Sequence, residues 1–346
     1  MHNDKFKRVA RVVAALALGA ATSTVHAQVA TGNTSQAKIA LSNNYAGNSW
    51  RQAMLKSWNN ASTAATKAGI IAGASAFTTS GNQITEQAQQ VQNLILQGYK
   101  AIAIDAASPT ALNGVIKQAC NAGIVVVSFD GIVTEPCAYR VVVDYKKMGE
   151  MQLDYLSERV KSGNLLEIRG IAGSSIDEQI HGGIASGLQK HNGFKTVGTV
   201  YGNWTQTVAQ KEVTGILPTL PKIDAIVTQG GDGYGAAQAF KAAGRPVPVI
   251  IMGNRYEELD WWKQQSKEGY QTMSVSIAPG ISTFAFWVAQ QVLAGKKMPH
   301  DVIVPLVMVE QSNLDDMLKK TQPGGVTNVE YTQDDVVKLV DSMPKH

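Results

Sequence analysis

The chain has 346 residues, of which 31 are Lys or Arg, 27 are Asp or Glu and two are Cys. Four of the basic residues and one acidic residue lie in the first 27 positions, which leaves 27 basic residues against 26 acidic ones. A nearly neutral chain lacks the basic surface that nucleic-acid binding requires, and the length suits two domains.

The first predicted element is a secretory signal peptide, MHNDKFKRVARVVAALALGAATSTVHA. It has a basic start, an apolar run at 12–21 and small residues before a cleavage point after Ala27. The apolar run is shorter than the roughly 20 residues of a membrane-spanning helix, and a plain amphipathic helix is the alternative. We therefore predict a signal peptide at 1–27, a flexible stub at 28–36 and export to the periplasm.

From Lys38 onward, short apolar runs rich in β-branched residues alternate with helical segments, which predicts an α/β fold. Most runs are continuous rather than alternating, as is typical of parallel strands covered on both faces. The predicted strands are 38–43, 69–77, 100–105, 123–130, 139–144, 164–170, 195–202, 225–230, 248–254 and 271–277. In the segment TEQAQQVQNLILQG, apolar residues recur at helical spacing (Ile84, Ala88, Val91, Ile95), and Gly98 is the predicted end of that helix.

Polar residues cluster at the carboxyl ends of the predicted strands. The set comprises Asn43, Asn44, Asp105, Ser128, Asp130, Asp144, Gln229 and Asn254. One such residue alone is more often a helix cap. Because ligands of open parallel sheets bind outside the carboxyl ends of the strands, the concentration of polar residues there indicates a binding site.

The two cysteines, Cys120 and Cys137, form an isolated pair. In an exported protein such a pair predicts a disulfide, with two buried thiols as the alternative. The sequence contains no CxxC motif and no His/Cys cluster, so we predict neither a zinc site nor any other metal or cofactor.

Four segments in order, AIAIDAASPTAL, KQACNAGIVVVSFD, GIAGSS and GDGYGAAQAF, resemble the ribose-type periplasmic binding proteins. These proteins are the sugar receptors of ABC importers and share their fold with the ligand cores of LacI-like repressors. The resemblance covers about 38 to about 310. It implies two Rossmann-like lobes, each a parallel sheet flanked by helices, with the ligand in the cleft between them.

The resemblance also implies a three-crossing hinge, with the crossings near Asp144, Ile277 and Pro305. The N-terminal lobe would then comprise 37–144 plus 278–305. The C-terminal lobe would comprise 145–277 plus 306–346, including an extension, 311–346, that lies beyond the usual end of the family.

Positions that match the family's site imply ligand contacts at Asn48, Ser49, Trp50, Asp105, Asp130, Trp204 and Asn254. A sugar has an apolar C–H face and polar hydroxyls, so we expect Trp50 and Trp204 to stack on it from both sides while polar groups bind its edge. Two positions depart from the pattern: Ile180 lies where an arginine is expected and Gly230 where an asparagine is expected. Arg51 and Arg255 are the candidates for the missing cation, with solvated surface charge as the alternative.

These observations predict a periplasmic receptor that captures a monosaccharide or polyol as a monomer and delivers it to the permease and ATPase of an ABC importer. Alternatives are a receptor that presents its ligand to a membrane sensor or chemoreceptor, and an exported carbohydrate-active enzyme using Asp105 and Asp130. We do not expect an enzyme, because GxSxG, HExxH and P-loop motifs are absent from the sequence. A DNA-binding regulator is excluded, because no helix-turn-helix pattern precedes Lys38.

Overall fold

The computed structural model describes residues 28–343, so the predicted signal peptide at 1–27 lies outside the described residues. The described part of the chain forms two lobes, each built on a sheet of parallel strands flanked by helices. This is the predicted α/β architecture. No helix between residues 28 and 343 combines the length and the apolar character needed to cross a membrane.

The first lobe is built on a six-stranded sheet. Its strands are β1 (Lys38–Asn43), β2 (Gly73–Thr78), β3 (Ala101–Asp105), β4 (Val125–Phe129), β5 (Tyr139–Val142) and β11 (Asp301–Ile303). They lie in the order β11-β5-β4-β3-β1-β2, and every pair is parallel. All five residues of β3 are buried, as expected for a central strand with apolar layers on both faces.

Helices cover both faces of this sheet. They are α1 (Ser49–Lys67), α2 (Ile84–Leu96), α3 (Asn113–Asn121), α9 (Ile281–Leu293) and α11 (Gln333–Ser342). Ile39 of β1 belongs to the apolar cluster that contains Trp58 of α1 and Phe284 of α9. The next residue, Ala40, packs in the opposite layer with Val91 of α2. Because successive side chains of a strand point to opposite faces, both must be apolar here, which explains the continuous apolar runs.

The second lobe is built on a four-stranded parallel sheet. Its elements are α4 (Tyr145–Arg159), β6 (Gly163–Arg169), α5 (Ser175–Lys190), β7 (Phe194–Tyr201), α6 (Gln206–Ile216), β8 (Ala225–Val227), α7 (Gly233–Ala242), β9 (Val249–Ile250), α8 (Tyr256–Ser266) and α10 (Leu314–Lys319), with a 3-10 turn at Leu217–Thr219. The strand order is β7-β6-β8-β9. Two further strands, β10 (Ser274–Ser276) and β12 (Val307–Val309), pair antiparallel, and a bridge between Met252 and Ser274 joins them to this sheet.

Two glycines let α4 and α5 pack closely enough to form one continuous wall. A Cβ atom on Gly149 of α4 would lie 2.3 Å from the carbonyl oxygen of Ile180, and one on Gly183 of α5 would lie 2.0 Å from that of Lys146. Any side chain at either position would therefore force the helices apart. This close approach fixes the position of α5, which borders the cleft described below.

The chain passes between the two sheets after β5, after β10 and after β11, close to the three expected crossings. Within residues 28–343 there is also a fourth passage, in the C-terminal extension. Thr327 N donates to Asn254 O of the second lobe at 2.8 Å, whereas Asn328 Oδ1 accepts from Gly280 N at 2.6 Å beside α9. The chain therefore crosses between the two lobes four times rather than three.

The contacts also divide the tail, 306–346, that we expected to lie wholly in the second lobe. Its helix α10 packs on α8 of that lobe, but α11 packs on α9 of the first lobe. Tyr331 contributes to this docking, because its backbone N–H donates to Thr283 Oγ1 at 2.9 Å and its ring meets Phe284 edge-on at 5.2 Å. The segment after Asn328 therefore packs against the first lobe.

The predicted strands, the helix around Val91 and the disulfide can be compared with the observed ones. All ten predicted strands overlap observed ones, and the short β11 and β12 were missed. The predicted helix around Val91 is α2 and Gly98 follows its end with φ of 73°, but Ile84 is 40% exposed rather than part of the buried face. The predicted disulfide between Cys120 and Cys137 is confirmed.

The stub at 28–36, expected to be flexible, makes several hydrogen bonds to the first lobe. Thr34 is buried, its hydroxyl donates to Ile70 O at 2.7 Å and it accepts from Gln290 Nε2 at 3.0 Å. Ala30 N donates to Gln291 Oε1 at 2.8 Å. These contacts place the segment against α9.

Candidate ligand-binding cleft

A cavity lies between the lobes, where the carboxyl ends of both sheets meet the hinge. It contains about 570 Å³ of space not filled by atoms, including its open mouth. Seven of the nine residues that the sequence singled out line it: Asn48, Trp50, Arg51, Asp130, Trp204, Asn254 and Arg255. The remaining two, Ser49 and Asp105, lie behind the lining and contact the two arginines.

Arg51 is the centre of a buried ionic network on the first-lobe side. Its guanidinium pairs with Asp105, the last residue of β3, and with Asp130 Oδ2 at 2.8 Å. Asp105 is completely buried, and its Oδ1 also accepts from Gly131 N at 3.2 Å. Asp105 is thus the fixed counter-ion of Arg51, and Asp130 is the carboxylate that reaches the cavity.

Tyr145, at the start of α4, extends this network across the hinge. Its hydroxyl donates to Asp130 Oδ1, and Tyr145 lines the cavity. Burial, together with the charge of Asp130, raises the pKa of Tyr145 well above its ordinary value, so the phenol stays protonated as a donor. Asp130 holds a positive φ of 57°, which turns the chain immediately after β4. Sequence reasoning missed Tyr145, although it directly follows Asp144 at an expected crossing.

Trp50 is held at the first turn of α1. Asn48 caps this helix, because its Oδ1 accepts from Arg51 N at 2.9 Å. The indole Nε1 of Trp50 donates to Ile277 O of the hinge at 3.0 Å, and the Arg51 guanidinium carbon lies 5.1 Å from the centre of the ring. The ring is therefore oriented by the hinge at one edge and by Arg51 beside it.

Arg255 approaches the cavity from the second lobe, at the start of α8. Its Nε donates to Ser49 Oγ of the first lobe at 2.8 Å, and its Nη2 donates to Trp204 O at 2.7 Å. Its Nη1 donates to Gly231 O. Arg255 is therefore a direct hydrogen-bonded link between the lobes, and its partners are neutral oxygen atoms.

Two buried carboxyl groups lie near Arg255, at the base of the second lobe. Glu258 accepts from Gly233 N at 3.0 Å and from Gly253 N at 2.9 Å, and burial raises its pKa. Asp232 is completely buried beside Arg255 and Glu258. Burial raises the pKa of Asp232 well above its ordinary value; the charge of Arg255 opposes this shift and that of Glu258 reinforces it.

Asn254 and Ser276 place two polar groups at the hinge side of the cavity. Asn254 Nδ2 donates to Ile277 O at 3.2 Å and to Thr327 O at 3.0 Å. Ser276, in β10, is 5% exposed, and its hydroxyl has no hydrogen-bond partner within residues 28–343. Ser276 lines the cavity, and a buried hydroxyl without a partner is suited to binding a ligand. Sequence reasoning missed Ser276, although it lies near the carboxyl end of a predicted strand.

The rest of the second-lobe wall is largely apolar. Met148 of α4 and Ile176 and Ile180 of α5 line it, so the position where the family pattern suggested an arginine holds buried Ile180. Gln229 lines the cavity too, but its amide is engaged with its own lobe. Its Oε1 accepts from Gly170 N at 2.9 Å and its Nε2 donates to Asp177 O at 3.0 Å.

This combination of groups suits reversible binding. Aromatic rings, paired charges and single hydrogen-bonding groups surround one cavity, as in sites that hold small polar molecules.

His181 does not line the cavity, and its Nδ1 lies 2.7 Å from Glu167 Oε1. In the described part of the chain, no three His, Cys, Asp or Glu residues cluster as a metal site would require.

Comparison with known proteins agrees with this architecture. The model of the periplasmic binding protein domain matches residues 39–297, and the chain belongs to this family, as the sequence motifs indicated. A solved ABC transporter solute binding protein from Thermobispora bispora superposes with a TM-score of 0.84 at 33% identity, covering 89% of this chain and 95% of that one.

Two characterised relatives are more distant in sequence. The xylitol-binding protein of Mycolicibacterium smegmatis is 26% identical over 246 residues, which is 69% of each chain. The D-ribose/D-allose-binding protein of Pseudomonas aeruginosa is 28% identical over 228 residues, which is 63% of this chain and 70% of that protein. Both are named as binding proteins for sugars or polyols.

Proposed function

We propose that the protein is the solute-binding receptor of an ABC importer and that it captures a monosaccharide or polyol in the cleft between its lobes. The observation that carries this proposal is the composition of the cavity, in which two tryptophans and several hydrogen-bonding groups converge. The relatives support it, because they are named as binding proteins rather than as enzymes.

Each lining residue has a role in this proposal. Trp50 and Trp204 stack on the C–H faces of the ligand from opposite lobes. Hydroxyl groups of the ligand bind to the groups with free hydrogen-bonding capacity, which belong to Asn48, Arg51, Asp130, Asn254, Arg255 and Ser276. Ser49 and Asp105 act indirectly, by holding Arg255 and Arg51 in place.

Lobe closure is the proposed means of capture. We take the first lobe as 37–144 plus 278–305, together with the tail from Asn328. The second lobe is then 145–277 plus 306–327. Arg255–Ser49 and Tyr145–Asp130 are hydrogen bonds that join the two sides of the cleft. A ligand that touches both sides adds to these bonds and stabilises the closed form. The closed receptor then delivers its ligand, as a monomer, to a membrane permease and its ATPase.

A thermal-shift screen tests the proposal directly. Pentoses, hexoses and linear polyols are compared with uronic acids, amino acids and aromatic acids, using the secreted protein after removal of residues 1–27. At 100 times its dissociation constant, a true ligand adds about 2.7 kcal/mol to the free energy of unfolding and raises the melting temperature. We expect a neutral sugar or polyol to do so. Stabilisation by charged or aromatic compounds alone would reject the substrate class.

A further inference from the structure

The two sides of the cavity offer different chemistry. The first-lobe side presents Arg51 and Asp130. The second lobe contributes the polar groups of Tyr145 and Arg255, and it also contributes an apolar patch of Met148, Ile176 and Ile180. These three side chains are buried, and none carries a hydrogen-bond donor or a strong acceptor. A hydroxyl group placed against them leaves water without gaining a partner, which weakens binding.

The apolar wall is built on two closely packed helices, α4 and α5. Ile176 and Ile180 are four residues apart on α5, so they lie on one face of that helix. The backbone N–H of Ile176 is directed to Ser174 Oγ at 3.3 Å, within the helix cap. Gly149 and Gly183 hold α4 and α5 in close contact, so Met148 of one helix and Ile176 and Ile180 of the other line the cavity together.

The polar partners for a ligand lie on the first-lobe side, at the hinge and at Arg255 of the second lobe. Ser276 Oγ is buried and has no hydrogen-bond partner in the described range 28–343, and the Asn254 and Arg51 side chains line the same cavity. Arg51 is paired with two carboxylates, Asp105 and Asp130. The cavity therefore matches a molecule with hydroxyl groups along one edge and only C–H groups along the edge that meets Met148, Ile176 and Ile180.

Building on the proposed function, we propose that the preferred ligand is a deoxy sugar or deoxy polyol, whose hydroxyl-free carbon packs against Met148, Ile176 and Ile180. The methyl or methylene group buries apolar surface against this wall, whereas the parent compound places a hydroxyl there. An apolar pocket discriminates against one added hydroxyl by a factor on the order of 100 at most. We expect a preference of about 10- to 100-fold.

Calorimetric titration with matched pairs tests this preference. The pairs are D-fucose and D-galactose, L-rhamnose and L-mannose, and 2-deoxy-D-ribose and D-ribose, each differing by one hydroxyl. We expect at least one deoxy compound to bind about 10- to 100-fold more tightly than its parent. If each parent binds at least as tightly as its deoxy partner, the deoxy preference is wrong while the sugar-receptor function stands.

A pair of variants on one helix locates the effect. Ile180→Thr introduces a hydroxyl into the wall, and Ile184→Thr makes the same change one turn further along α5 at a completely buried position that is not part of the lining. We expect Ile180→Thr to reduce the deoxy-to-parent affinity ratio about tenfold and Ile184→Thr to leave it unchanged. Equal ratios in both variants and in the native protein would remove the wall as the source of selectivity. If no neutral sugar or polyol binds the native protein at all, the proposed function itself fails.

Discussion

The two arginines of the cleft are held in opposite ways. Arg51 of the first lobe lies between two carboxylates, Asp105 and Asp130, and Asp105 is completely buried. Arg255 of the second lobe donates to neutral oxygens, one of which, Ser49 Oγ, belongs to the other lobe. The first arginine is therefore bound within its own lobe, and the second links the lobes.

Because of this difference, we expect Arg51 to contribute mainly to the stability of the folded protein and Arg255 mainly to closure of the two lobes. A buried carboxylate depends on its cation, so Arg51 stabilises the folded first lobe as well as forming part of its binding surface. The hydrogen bonds of Arg255 to Gly231 and Trp204 lie within the second lobe, but the bond to Ser49 exists only while the lobes are close together. We therefore expect substitutions at the two positions to affect different measurements.

The largest expected effect is on stability in Arg51→Ala. Removing this cation leaves Asp105 buried without a counter-ion, and breaking a buried ion pair in this way typically lowers the free energy of unfolding by about 3–5 kcal/mol. Arg255→Ala should lower it by clearly less, because its lost partners are neutral. Chemical denaturation of the ligand-free proteins measures both values. The double variant Arg51→Ala/Asp105→Asn should recover part of the loss. Equal losses at Arg51 and Arg255 would contradict the distinction.

The disulfide gives a second contrast, because both cysteines of the chain lie in the first lobe. Cys120 and Cys137 are 17 residues apart, and closing a loop of that size contributes about 3 kcal/mol in the chain-entropy model. Replacing both with serine should lower stability by about this amount. Ligand affinity should not change, since neither residue lines the cavity. Two reactive thiols in the unreduced secreted protein would contradict the pairing.

The two tryptophans test whether the lobes contribute differently to binding. Both line the cavity, but only the indole N–H of Trp50 is bonded to the hinge. We expect Trp204→Ala to weaken ligand affinity by about 2 kcal/mol, as for aromatic anchors at interfaces, with little change in ligand-free stability. Trp50→Ala should lower both quantities. Calorimetry beside thermal melting separates them, and Trp50→Phe is the control that keeps a ring but removes the N–H. Unchanged affinity in Trp204→Ala would assign that ring to packing.

The fold could be predicted from the sequence because its signals are local. Continuous apolar runs such as AIAID mark strands that are buried on both faces, and β3 is buried throughout. The strands β11 and β12 have three residues each, too few for a periodic pattern, and their pairing depends on distant parts of the chain. The packing of the tail could not be predicted for a related reason, since α11 contacts α9, and its buried Val336 and Val340 join a core cluster formed by distant parts of the chain.

The site could be predicted in part. The rule that polar residues follow strands identified Asp130 and Asn254, which do line the cavity. It could not show that Asp105 lies behind Arg51, because that depends on how α1 packs beside β3. It also could not separate Gln229, whose amide is bonded within its own lobe, from Ser276, whose hydroxyl has no partner among residues 28–343. Hydrogen-bond satisfaction is a property of the folded structure and leaves no pattern in the sequence.

A pH dependence of stability is also expected in the second lobe, at Asp232. Its pKa in the folded protein lies well above the ordinary value of 3.8, mainly because of burial. Between these two values the folded protein holds a proton that the unfolded chain has released, so stability falls as pH rises and levels off above the folded pKa. One such group gives a slope of at most about 1.4 kcal/mol per pH unit.

Asp232→Asn should remove this contribution, because asparagine resembles the protonated carboxyl and stays neutral. We expect the stability of the variant relative to the native protein to increase as the pH rises from 4 to 8 in denaturation experiments. Glu258, whose pKa is also raised by burial, keeps a residual slope of the same sign in both proteins. Asp316→Asn, at a side chain that is 72% exposed, is the matched control for the substitution itself. A stability difference between Asp232→Asn and the native protein that stays constant with pH would show that Asp232 is ionised in the folded state. Arg255 would then have a buried anionic partner, and the contrast between the two arginines would disappear.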